Sequence, residues 1–179
     1  MQKLPDRTQS QIDGGYLWQD ELVFGQCDSA LNVRISTLLE QLVNAASQHC
    51  RTFGLSYDTF LESDTAFVLT RTTLTIHKLP HCFQLLTLKT WIDGIKGPYY
   101  QRVTEWYDEN DTVMVSCRSD WVIIRPSTRT LTKPDKSDTR FTTKSPVSLP
   151  PCSRVKLGDI PLEPLGSHHV VWSEIDGNA

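Results

Sequence analysis

Few residues in this chain are of a type that does chemistry. The imidazoles are His49, His77, His81, His168 and His169, and the thiols are Cys27, Cys50, Cys82, Cys117 and Cys152. An imidazole works as a general base only within hydrogen-bond reach of the proton it removes, and a thiol becomes a nucleophile only beside such a base. No local motif joins one to the other. His49 falls on the later turns of a helix and reads as a partly exposed helix residue rather than a base. Cys50 and Cys117 read as buried thiols. His168 and His169 are neighbours in a strand-like run, where adjacent side chains point to opposite faces, which argues against a shared metal. There is no C-x-x-C pair, G-x-S-x-G elbow, H-E-x-x-H motif or glycine-rich phosphate loop. Serine-hydrolase and metallohydrolase chemistry therefore have no support, and no cofactor is expected.

Two acidic loops remain. The run LVFGQCDSALNVR at residues 22–34 and the run VVWSEIDGNA at residues 170–179 each lead apolar, strand-like residues into an Asp-containing loop. Aligned on Asp28 and Asp176, Leu22 and Val23 fall opposite Val170 and Val171, Phe24 opposite Trp172, and Ala30 opposite Asn178. An internal repeat of this kind suggests that residues 167–179 begin a second domain of the same type. Chance similarity between two strand-to-loop transitions is the alternative.

The elements that position these loops are organised around one helix. Residues 34–54, RISTLLEQLVNAASQHCRTFG, carry Leu38, Leu39, Leu42, Val43, Ala45, Ala46, Cys50 and Phe53 at the spacing of a buried helical face. Thr37 and Glu40 have capping-box spacing, and Gly54 stands where a left-handed residue would end the helix. A strand is expected before it at 16–26, a short helical turn after it at 56–63, and four further strands at 66–79, 83–93, 99–107 and 112–125. Asp93-Gly94 opens a hairpin connection with Gly94 and Gly97, and Asp108-Glu109-Asn110-Asp111 makes a second turn. This is an α+β pattern, a curled antiparallel sheet wrapped around one long central helix, the arrangement known as a hotdog. Residues 1–14 read as a flexible N-terminus, 15–126 as the hotdog domain, 127–166 as a Pro-, Ser- and Thr-rich linker without regular structure, and 167–179 as the first strand of a truncated second hotdog.

Composition bounds the function classes. At 179 residues and 39% hydrophobic the chain can bury one core of ordinary size. A net charge of -3 and the absence of a Lys/Arg cluster argue against a nucleic-acid partner. No apolar run approaches the roughly 20 residues of a membrane span, the N-terminal residues contain no secretory core, and an odd number of scattered cysteines suits a reducing, cytoplasmic setting.

Ala45-Ala46 in the helix with Gly54 after it, Thr90-Trp91 in one strand, Arg102 in the next, and Asp120-Trp121-Val122-Ile123-Ile124 followed by Thr128-Arg129 occur in an order and spacing that resemble the acyl-acyl carrier protein (acyl-ACP) thioesterases. Those enzymes are built from tandem hotdog domains, and the resemblance runs from Tyr16 to the C-terminus, the N-terminal half of such an enzyme. It implies hydrolysis of the thioester between a fatty acyl chain and its carrier in fatty acid biosynthesis. The hydrolytic residues of the family lie mainly in the second hotdog, in a loop resembling Asp-x-Asn-x-His. By that resemblance Asp176 would orient a His expected beyond Ala179, and Asn178 would hold the thioester carbonyl or the attacking water. The first loop keeps Asp28 but has Ala30 and Asn32 where the Asn and His would stand, so no general base is expected there.

The acyl slot would lie between helix and sheet, lined by Leu42, Val43, Ala46, Phe67, Leu69, Trp91 and Trp121; the same side chains would serve equally as ordinary core. The implied partner is an acyl carrier protein bearing its acyl chain. Arg71, Lys78, Lys89, Arg102, Arg125, Arg129, Lys133 and Lys136 are candidate exposed cations for an acidic carrier, but they are dispersed along the sequence, and ordinary solvated faces are the simpler reading. The chain alone is expected to hydrolyse thioesters weakly or not at all, pairing with a missing second hotdog or with a second copy. The competing expectation is a noncatalytic, homodimeric acyl-binding hotdog module. A hotdog dehydratase fits less well, because the loop CDSALN before the helix has no His.

Overall fold

In the computed structural model, which describes residues 10–12, 15–135, 147–154, 158, 161 and 163–172, the apolar stripe of the long helix decides the arrangement. Helix α1 (Ile35–Thr52) buries Thr37, Leu38, Gln41, Leu42, Ala45, Ala46, His49 and Cys50, the i, i+3, i+4, i+7 series of a single face. Ala45 at its centre carries no bulk beyond Cβ and is 0% exposed, so the backbone lies close against the strands.

The N-terminal end of the helix differs from the sequence reading, and the C-terminal end agrees with it. The N-cap is Arg34, with no side-chain cap, and Thr37 sits one turn inside. Its hydroxyl instead donates to the Gln26 carbonyl at 2.9 Å, tying α1 to the 3-10 turn Phe24–Gln26. The loop between them is held by Asp28, whose Oδ1 accepts from the amides of Ala30 and Asn32 at 2.9 Å each. An aspartate so used shapes a turn. At the other end the Gly54 amide donates to Arg51 O and the Leu55 amide to Cys50 O, the paired bonds of a Schellman motif, with Gly54 at φ +77°. Helix α2 (Tyr57–Glu62) follows directly, its first turn closed by reciprocal bonds between Ser56 and Thr59.

Among the described residues, seven strands form one antiparallel sheet: β1 (Ser10–Ile12), β2 (Gly15–Glu21), β3 (Ala66–Ile76), β4 (Leu85–Lys96), β5 (Tyr99–Tyr107), β6 (Val113–Arg125) and β7 (Thr130–Thr132), in the order β1-β2-β4-β5-β6-β3 with β7 also on β6. The first strand stops at Glu21 instead of running to residue 26, because the chain turns at Phe24–Gln26. β4 runs past Asp93, with its register shifting between Ile92 and Gly94, so the reversal falls at Gly97, φ +60°. β7, paired with Ile123–Arg125, is regular structure inside the segment expected to be an unstructured linker. Residues 167–172 lie exposed and outside any strand, which departs from the strand expected there; residues 173–179 are outside the described residues.

The core is the concave face of the sheet against α1. Leu86, Leu88 and Ile92 of β4, Trp106 of β5, and Val115 and Cys117 of β6 join Leu38, Leu42, Ala45 and Ala46. Trp106 is 0% exposed, and its indole N–H reaches Gln41 Oε1 at 2.9 Å, so a polar residue on the buried helix face has a partner.

Gly54→Ala tests the helix stop. A Cβ there would meet nothing within 4 Å, so the cost is the left-handed backbone alone. It should lower stability by about 1–2 kcal/mol in urea unfolding without changing the slope.

Candidate functional site

Beside the core, one region between helix and sheet is left open. The later turns of α1, one side of α2, the start of β3 and the inner faces of β4, β5 and β6 line a cavity of about 570 Å³, within the size range of small-molecule sites. Val43, Ala46 and Cys50 recur at i, i+3, i+7 and form the α1 wall; Phe60 and Leu61 come from α2, and Phe67 and Leu69 from β3. Phe60, Phe67 and Tyr100 stack edge to face at centroid distances of 5.6 and 5.3 Å. Val43 and Leu61, 40% and 61% exposed, mark the side toward solvent.

Of the residues the sequence put forward, Val43, Ala46, Phe67, Leu69 and Trp121 line this cavity. Leu42 does not: one residue before Val43 is a rotation of about 100° on a helix, and it lies in the core at 0% exposure. Trp91 does not either. Its β4 neighbours Thr90 and Ile92 are buried on the inner face, and alternation turns Trp91 to the outer one, where its indole N–H is buried without a partner. Asp176 and Asn178 lie outside the described residues.

The polar part of the wall went unread in the sequence. Arg102, counted among the exposed cations, is 3% exposed and faces the cavity. Its Nη1 donates to His49 Nδ1 at 3.0 Å and to Thr90 Oγ1 at 3.1 Å. A guanidinium only donates, so His49 Nδ1 accepts; His49 is a neutral imidazole with its proton on Nε2. Thr90 Oγ1 donates to the Val103 carbonyl at 2.9 Å, so the 2.9 Å contact with Thr104 Oγ1 has Thr104 as donor, and the hydroxyl is saturated. His49, 1% exposed, is thus buried rather than partly exposed, and its Nδ1 lone pair is already used. The signal was available: Tyr100, Arg102, Thr104 and Trp106 alternate along one strand.

Burial pushes the Cys50 thiol above its ordinary pKa, with Arg102 pulling it partly back, and burial pulls the Arg102 guanidinium down. Cys117 is pushed up to about 12, chiefly by desolvation. Neither thiol is a poised nucleophile. No carboxylate or imidazole stands among the residues lining the cavity, and no group of three or more metal-ligating side chains occurs among the described residues. The arrangement can hold an apolar chain and a polar end, and its described lining residues include no carboxylate or imidazole.

Leu42→Ala, a core truncation, should cost about 2–5 kcal/mol, whereas Val43→Ala should cost under about 1 kcal/mol; urea unfolding of both variants checks this. Because the thiolate is the reacting form and its pKa is raised, alkylation of Cys50 should be slow at pH 7 and accelerate as pH rises beyond 9, measured by mass spectrometry of the iodoacetamide adduct.

Over residues 18–136 the chain matches the family model for the acyl-ACP thioesterase N-terminal domain. No curated protein sequence matches it. Among solved structures it is similar to an acyl-ACP thioesterase from Bacteroides thetaiotaomicron, with a TM-score of 0.81 at 21% identity over 92% of this chain and 67% of that one. It is similar also to the 12:0-ACP thioesterase from Umbellularia californica, with a TM-score of 0.69 at 13% identity over 84% of this chain and 64% of that one. A 1,4-dihydroxy-2-naphthoyl-CoA thioesterase from Synechocystis shares the hotdog fold at a TM-score of 0.60 and 16% identity, over 66% of this chain and 88% of that one. The chain thus spans about two thirds of the length of the acyl-ACP thioesterases it resembles. With its curled sheet around one helix and the family match across most of that sheet, the chain belongs to the acyl-ACP thioesterase family and carries its N-terminal hotdog domain.

Proposed function

We propose that this domain supplies the acyl-binding part of a thioesterase that releases free fatty acid from acyl carrier protein. The observation that carries the reading is the apolar cavity between α1, α2 and the sheet, lined by Val43, Ala46, Phe67, Leu69 and Trp121. Thioester hydrolysis needs a dry place for the acyl tail, an activated water, and a donor for the oxyanion that forms as water attacks and the thiolate leaves. The cavity meets the first need. The hydrolytic step then belongs to groups beyond its wall, and Asp176 and Asn178 are our candidates, Asp176 to orient an imidazole and Asn178 to hold the carbonyl or the water.

The carrier would meet the exposed cations. Lys78, Arg125, Arg129 and Lys133 are exposed, whereas Arg71 lies 3.7 Å from Asp120 and Lys89 binds Asp111 at 2.9 Å; Lys136 is outside the described residues. No described helix is long and apolar enough to cross a membrane; a cytoplasmic setting is our inference from the proposed carrier-borne substrate. The lack of a base on the cavity wall also favours a second reading, a noncatalytic acyl-binding module that pairs with its own copy.

Binding and turnover separate the two. The 179-residue chain should bind dodecanoyl thioesters in calorimetry, lose that binding at least about tenfold in Val43→Trp, which puts bulk on a half-exposed wall, and show turnover at background. Binding untouched by Val43→Trp would refute the cavity as the acyl site. A stable homodimer by light scattering, with binding but no turnover when the C-terminal hotdog is supplied, would favour the module.

A further inference from the structure

Arg102 is more than a wall residue. It is 3% exposed, it faces the cavity, and no carboxylate pairs with it among the described residues. A buried guanidinium without a counter-charge is costly, and structures tolerate one where an anion completes it. The described side chains around it supply none. His49 is neutral and accepts one bond, Thr90 is a saturated hydroxyl, and the Cys50 thiol is held protonated by burial. The carbonyl end of α1, where His49 lies, offers a fractional negative charge of about one half and does not neutralise a full cation.

The geometry goes further. Both side-chain bonds of Arg102 among the described residues leave from Nη1, to His49 at 3.0 Å and to Thr90 at 3.1 Å, so both Nη1 hydrogens are used. The Nε–H and the Nη2 hydrogens remain, and they form the side-on edge of the guanidinium that accepts a carboxylate in a two-point fork. The same cavity carries an apolar wall of Val43, Phe60, Leu61 and Phe67, with Arg51 as its other cation.

We propose that Arg102 is a carboxylate-binding site at the buried end of the cavity, taking the carboxylate of an aliphatic chain whose hydrocarbon lies along Val43, Phe60 and Phe67. This rests on the reading of the cavity as an acyl site and adds its polar end. Two sources carry that chemistry: a free fatty acid entering head first, as a retained product would, and an acyl thioester bearing a second carboxylate at its far end.

Calorimetry on the 179-residue chain tests this with dodecanoate, dodecan-1-ol and methyl dodecanoate. Dodecanoate should bind at least about tenfold tighter than the alcohol or the ester, the effect of a charge-assisted hydrogen bond. In Arg102→Met that preference should vanish while alcohol binding persists; Arg102→Lys, which keeps a charge but not the fork, should fall between. Equal binding of acid and alcohol to the unaltered chain overturns the proposal, and this arm needs no variant to fold. If acid and alcohol bind equally and both are lost in Val43→Trp, the acyl cavity stands and only the Arg102 assignment fails. If neither binds, both fail. To separate the sources, the mono-N-acetylcysteamine thioester of dodecanedioate is compared with dodecanoyl-N-acetylcysteamine. A preference of tenfold or so for the former supports a far-end carboxylate, and equal binding of the two alongside tight dodecanoate supports the free-acid source.

Discussion

The structure depends on how much of a curled sheet one helix can cover. An α-helix with its side chains is about 10–12 Å across, whereas strands repeat every 4.7–4.9 Å or so, so a single helix shields the width of roughly two strands. α1 packs on β2 and β4, where Leu86 and Leu88 meet Leu38, Leu42 and Ala45. The inner faces of β5, β6 and β3 beyond its later turns are left to a second element. That element is the short α2, held by the Gly54 stop and the Ser56–Thr59 cap, and it roofs the space without filling it. The cavity is therefore a consequence of the packing geometry, and its walls are apolar for the same reason that the core is.

Where α1 crosses β4 and β5 near its C-terminal end, the interior becomes polar. Tyr16, His49, Thr90, Arg102 and Thr104 are all buried there. Replacing an acceptor in such a cluster leaves a charge in a low-dielectric setting, so its members constrain one another more tightly than aliphatic neighbours do. The saturation of Thr90 and the tautomer of His49 follow from one fact, that Arg102 only donates. This fixes the free edge of the guanidinium as the part left for a ligand, and it removes His49 Nδ1 from service as a base.

Periodicity made the long helix, its Gly54 stop, the antiparallel succession of strands and most of the cavity wall legible. It could not separate Leu42 from Val43, since both sit on the broad apolar stripe and only the tilt of the helix on the sheet decides which meets core and which meets cavity. Trp91 was misplaced for want of phase: the inward series of β4 is Leu86, Leu88, Thr90, Ile92, and a threonine in an inward position hides the alternation. Arg102 was read as exposed because charge usually is. The capping-box spacing of Thr37 and Glu40 proved to be coincidence, since helix entry is set by the chain turning at Phe24–Gln26 and the Thr37 hydroxyl is spent on that turn. β7 escaped notice because Thr130–Thr132 carries no apolar alternation and forms by pairing onto a strand already present.

The division of labour proposed for this domain follows from the same geometry. A cavity that stays dry enough to hold an acyl chain cannot also present an ionised base along its wall, because burial drives carboxylates and thiols toward their neutral forms, as the raised Cys50 shows. A water-activating imidazole needs a carboxylate to orient it and solvent to exchange protons with, both of which belong at a mouth and not in an interior. In the loop before α1, Asp28 is occupied with the Ala30 and Asn32 amides, and the exposed His81, whose backbone bridges to Asn32, is not hydrogen-bonded to that carboxylate. A tandem of two hotdogs resolves the conflict by letting one copy keep the apolar slot while the other keeps the loop chemistry. In such a pair the role proposed for Arg102, buried on the cavity wall, concerns what the acyl chain carries and not the hydrolytic step.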